Sequence, residues 1–172
     1  MTLNLEVKSN LAKLLANENI TIQHNNVKTA SFDVKNRVLT LPIFKQKSGD
    51  VYDMLIAHEC AHALFTPYEQ WEGITDSELR SYVNVLEDTR IDHLIQKKYP
   101  GLVDDYLKGF DKMLKDNFFG TKDRDMMNYA LIDKINLYYK SSKRLDFEFT
   151  NKEKILVDAV DKCKNFDDVL KL

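Results

Sequence analysis

Two histidines four residues apart, His58 and His62, with Glu59 directly after the first, form an HExxH pattern. On a helix, residues four apart share a face, so both imidazoles can reach one ion at about 2.0–2.1 Å. Glu59 is displaced around the helix, close enough to hold a metal-activated water but not to share the metal. The spacing separates ligands from base and points to zinc-dependent hydrolysis. With four histidines and nine glutamates in random order, under about 1 % of chains this long would contain the pattern. Val51, Leu55, Ile56, Cys60, Ala63 and Leu64 also make the flanking segment apolar enough for a buried helix.

A catalytic zinc takes three protein ligands and keeps one position for water, so a third donor must come from elsewhere. The segment Asn84-Val85-Leu86-Glu87-Asp88-Thr89-Arg90-Ile91-Asp92-His93 offers a dense polar set inside an otherwise apolar helix. Glu87 falls between Val83 and Ile91 on the apolar face, where an unpaired carboxylate is costly and a metal would explain it. Asp88 belongs instead to the i, i+4, i+8 stripe Asn84, Asp88, Asp92. There Asp88 could ligate while Asp92 accepts the second N–H of a ligand histidine. On these grounds both carboxylates stay open. Tyr82, Arg90 and His93 are candidates to stabilise a developing oxyanion.

The run HECAHALFTP, followed by NVLEDTRID at 84–92, resembles the metallopeptidase domain of phage and bacterial proteins that often carry a von Willebrand A-like domain, and more distantly the gluzincins. Lys97-Lys98-Tyr99-Pro100-Gly101 and the segment 131–138 are similar to phage-encoded members, so the resemblance spans most of the chain. It implies a zincin-like core with a small sheet, the HExxH helix and a second helix bringing an acidic ligand. It also implies His58 and His62 as ligands, Glu59 as general base and a third ligand within Glu87-Asp88, with the aspartate position favoured. The gluzincin arrangement of a ligand glutamate followed four residues later by aspartate is not kept, because Ile91 lies four after Glu87. The implied cofactor is one Zn2+ per chain. The implied partners are a peptide or protein substrate and a von Willebrand A-like or other protein.

These residues need elements to hold them. A short helix is expected over 3–15, a strand over 20–24, and two alternating strands over 29–34 and 37–43 joined by a Lys35-Asn36 turn. Together they read as a three-stranded antiparallel sheet, with 37–43 as the edge that would take an extended substrate. The HExxH helix should run from about residue 50 to the Thr66-Pro67 stop. A loop over 68–73 carries Trp71, either as cleft wall or as core anchor. Thr75-Asp76-Ser77-Glu78 reads as a capping box opening a helix to about residue 98. Helical periodicity continues over 102–119, 124–139 and 152–163, with Thr150 and Glu153 repeating the capping signature and a last turn at 166–170. The expected class is α+β: one zincin-like domain over 1–172, with helix and sheet in 1–49, metal-site helices in 50–98 and a helical remainder in 99–172.

Composition narrows the function classes. Hydrophobic residues at 44 % with charged residues at 30 % describe a globular protein, and no apolar run nears the roughly 20 residues of a membrane span. A net charge of −2 with dispersed lysines argues against nucleic acid as partner. The first residues lack a basic region followed by an apolar core, so a cytoplasmic location is expected, the host cytoplasm for a phage-encoded chain. Cys60 and Cys163 read as reduced thiols, and His24 as a strand-end surface residue. The expected activity is peptide-bond hydrolysis. The rival is a non-proteolytic zinc-binding interaction module, which would differ in having a closed coordination sphere.

Overall fold

The computed structural model describes residues 4–43, 49–122 and 124–172. The polar stretch expected at 45–49 lies, apart from Gly49, outside them. Helix α1 (Leu5–Ala16) begins at Asn4, whose side chain accepts the N–H groups of Glu6 and Val7, and ends at Asn17 in the left-handed region. Strands β1 (Thr21–Asn25), β2 (Ser31–Asp33) and β3 (Val38–Pro42) follow.

The sheet order is β1-β3-β2, which corrects the expected antiparallel arrangement. β2 and β3 form an antiparallel hairpin with Phe32 opposite Leu39, but β1 runs parallel to β3 with Ile22 opposite Leu39. β3 is therefore central and the expected substrate edge at 37–43 is already paired on both sides; β1 and β2 are the two edges, and β2 is the one nearer α2. Alternation along a strand is the same for either orientation of its neighbour, so periodicity cannot distinguish the two. The hairpin connection is 34–37, longer than two residues, with Arg37 at φ 55°.

Helix α2 (Gly49–Phe65) is the axis of the molecule. It packs against α1, β2, α4 (Ser77–Lys98) and α5 (Leu102–Lys115). Contact on nearly every side explains its lack of a polar stripe: Val51, Tyr52, Met54 to Ala57, Cys60 and Ala61 are all buried. α5 comes tight against α2 at Gly109, where an added Cβ would lie 2.8 Å from Met54 Cβ and 3.1 Å from the Asp50 carbonyl. Leu39 and Leu41 of β3, Ala12, Leu15 and Ala16 of α1, and Ile91 and Ile95 of α4 close this first core.

Residues 68–73, expected as a loop, contain a short helix α3 (Tyr68–Glu72). The cap of α4 is Asp76, whose carboxylate accepts the Leu79 N–H at 2.8 Å, so the capping box expected at Thr75 and Glu78 gives way to a cap one residue later. Thr150 and Glu153 do form a reciprocal capping box at α7 (Asn151–Val160). With α6 (Leu131–Lys140) and α8 (Phe166–Leu170), α7 builds a second core on α4 around Val83, Leu86, Ile135, Val157 and Val169. A 3-10 turn at Met126–Asn128 precedes α6. Among the described residues no helix is long and apolar enough to cross a membrane.

Candidate metal centre

The last turns of α2 face the middle of α4. His58 Nε2 lies 3.6 Å and His62 Nε2 3.2 Å from Asp88 Oδ1, and the three ligand-type atoms fall within 4.8 Å of one another. A tetrahedral ion with bonds of 2.0–2.1 Å separates its ligand atoms by about 3.3–3.4 Å, so the spacing suits one small cation.

Each histidine is oriented through its other nitrogen. His58 Nδ1–H donates to Asp92 Oδ1 at 2.8 Å, the role that the Asn84, Asp88, Asp92 stripe predicts for Asp92. Tyr106 of α5 donates its hydroxyl to the same oxygen, at 2.8 Å. The Thr66 hydroxyl, 2.7 Å from Glu87 Oε1, donates there and so accepts the Nδ1–H of His62 at 3.0 Å. Both Nε2 lone pairs are thereby directed at the gap between the helices.

Asp88 is 8 % exposed. Its Oδ2 accepts from Lys140 Nζ of α6 at 3.2 Å, while Oδ1 is buried with no hydrogen-bond partner among the described residues. With both imidazoles neutral, this buried carboxylate oxygen would face two lone pairs at a cost that a cation between them removes. Charge agrees. Glu59, Asp88 and Asp92 bring three negative charges and Lys140 one positive charge to the same pocket, and a dication brings the sum to zero.

Without a metal, protons carry part of this balance. Burial pushes the His58 pKa down, but Asp92 and Asp88 outweigh it and raise it to about 9. Burial works against the Asp88 carboxylate, yet Lys140 and His58 hold its pKa below the usual range. Glu59 is the opposite case: burial dominates and raises its pKa above the usual carboxylate value, against the opposing pull of His58 and His62.

Glu87, the alternative third ligand, is turned elsewhere. It is completely buried and takes two hydrogen bonds of 2.7 Å from Arg90, Nε to Oε2 and Nη2 to Oε1. Arg90 Nη2 also donates to the Phe65 carbonyl at 2.9 Å, clamping the end of α2 to α4. Glu87 acts on the centre only through Thr66. Arg90 is thus consumed by an ion pair, Tyr82 is exposed, and His93 is exposed on α4. None of these three oxyanion candidates lines the cavity.

That cavity, about 440 Å³, opens over the triad. Thr29, Ser31 and Phe32 form the wall at edge strand β2; Asn84, Asn136 and Lys140 line it from α4 and α6; Met54, Phe110, Met113, Phe118 and Phe119 line it from α2 and the α5 end. Trp71 has both expected roles, lining the cavity while packing edge-on against Phe166 at 6.4 Å. Tyr106, Lys140 and Asn136 carry no signal in the sequence, because their relation to the HExxH helix exists only after α5 and α6 dock. Cys60 faces away, its thiol on the Ala12 carbonyl and its pKa raised by burial to about 12. Both cysteines are free thiols. His24 is half-buried beside Ser9, outside the cavity.

No family model, no curated protein and no solved structure matches the chain.

Proposed function

We propose that the chain is a zinc-dependent peptidase with a zincin-like core, in which His58, His62 and Asp88 hold the ion and Glu59 is the general base. The observation that carries this reading is the unpaired Asp88 Oδ1 between two Nε2 atoms whose opposite nitrogens are already committed to Asp92 and Thr66. The open cavity beside three donors supports a hydrolase over a closed structural staple, which would surround its ion with protein.

Bound zinc would supply a water with a pKa near 7 and polarisation of a carbonyl. Glu59, which lines the same cavity, would accept a proton from the attacking water and return it to the leaving amine. An extended substrate adds to the free edge of β2, its backbone pairing with the strand whose Ser31 and Phe32 border the cavity. Asn84 and Asn136 present side-chain amides from the opposite helices. Lys140 holds Oδ2 of Asp88, which leaves Oδ1 facing the Nε2 atoms of His58 and His62.

Glu59→Gln tests the reading. It preserves side-chain shape and removes the proton acceptor, so zinc content measured by elemental analysis should stay at one per chain. Cleavage of a peptide library should fall by about 10²-fold or more. A zinc-loaded wild type that cleaves no peptide in the library would refute the peptidase assignment.

A further inference from the structure

Resting on the peptidase reading, we infer that the α5 end of the cavity is a subsite for one large apolar side chain, aromatic or long aliphatic, of the peptide substrate. The cavity is continuous from the triad to Met54, Phe110, Met113, Phe118 and Phe119, with no charged side chain among these five. Phe119 lies 5.3 Å from Phe110 in a tilted contact and 5.3 Å from Phe118 edge-on, so the three rings form one wall.

The wall is held by the way α5 stops. Asn117 adopts φ 55°, its N–H bonds to the Leu114 carbonyl at 3.0 Å, and the Phe118 N–H bonds to the Met113 carbonyl at 2.9 Å. This six-to-one closure reverses the chain and returns the two phenylalanines over Met113. The rings are therefore fixed by a helix terminus, yet Phe118 keeps 39 % of its surface exposed. Apolar surface left in water at the rim of a polar centre is what a substrate side chain would cover.

The size fits. A cavity of about 150 Å³ holds a benzene ring, so 440 Å³ accommodates an aromatic side chain together with peptide backbone and the ion. The two methionines add unbranched, polarizable side chains that adapt to leucine or methionine as well as phenylalanine. An acidic side chain at this end would lose its hydration and meet no donor among the five residues.

The test uses zinc-loaded Glu59→Gln protein and labelled Gly/Ser-rich decapeptides that differ at one central position: Phe, Leu, Ser or Asp. Fluorescence anisotropy reads binding, and mass spectrometry of wild-type cleavage products locates the scissile bond. Phe and Leu peptides should bind about 10-fold or more tighter than Ser, and Asp weakest. Cleavage should fall next to the apolar residue. In the Phe118→Ser, Phe119→Ser double variant the preference should collapse while zinc content holds; Phe118→Ser alone serves if the double variant fails to fold. Equal binding of all four peptides, or a preference that survives these variants, would overturn the subsite and leave the peptidase reading standing. Absence of binding and cleavage for every peptide would overturn both.

Discussion

Removing Glu87 is the sharpest probe of how the centre is built, because this carboxylate supports the site without touching it. Glu87→Ala strips the Arg90 guanidinium, itself 5 % exposed, of both carboxylate contacts and leaves the Thr66 hydroxyl without its acceptor. Breaking a buried pair from one side costs about 3–5 kcal/mol, since the remaining charge stays buried. At about 2–4 °C per kcal/mol for a chain of this size, the Tm should fall by roughly 6–20 °C. The measurement is thermal unfolding by circular dichroism with chelator present, which removes any contribution from metal. Replacing both partners by apolar groups, Glu87→Leu with Arg90→Met, should recover much of the loss, because no uncompensated charge remains. Zinc binding should weaken by about 10- to 100-fold through the loosened Thr66–His62 contact, with one ion still bound at saturation. A metal-free Glu87→Ala protein melting within about 1 °C of wild type would refute the energetic account. Loss of zinc even at saturation would instead make Glu87 a ligand.

His58→Ala and Asp88→Ala should each abolish stoichiometric zinc binding, read by elemental analysis after dialysis, because two donors are left where three are required. Chelation should lower the Tm of the zinc-loaded wild type, since the ion ties α2 to α4; free zinc at 100 times its Kd adds about 2.7 kcal/mol to the native state. Zinc affinity should rise about tenfold per pH unit below pH 9 and level off above it: metal-free His58 has its pKa raised to about 9 and must lose that proton to ligate. Calorimetry in buffers of different ionisation enthalpy near pH 7.5 should report close to one proton released per zinc.

What the chain settles through local pattern is considerable. The HExxH helix, its apolar flanks and its stop before Pro67 follow from helical spacing and proline sterics, and α2 ends at Phe65. The Thr150–Glu153 capping box was legible because it is a local exchange of hydrogen bonds. The stripe of Asn84, Asp88 and Asp92 was legible for the same reason, since one helix face is a property of one helix. Which way that face points is not. Glu87 and Asp88 are adjacent; the Glu87–Arg90 pair is an i, i+3 contact within α4, but only the docking of α2 on α4 brings Asp88 to the histidines. The placement of β3 between β1 and β2, and the parallel pairing of β1 with it, were hidden because alternation is blind to strand order and direction. Lys140 and Tyr106 reach Asp88 and Asp92 across 52 and 14 residues of sequence, and the aromatic wall depends on how α5 terminates. Periodicity describes each element about its own axis; the relative rotation of packed elements is set by side-chain fit across their interfaces, and only the tertiary structure contains it.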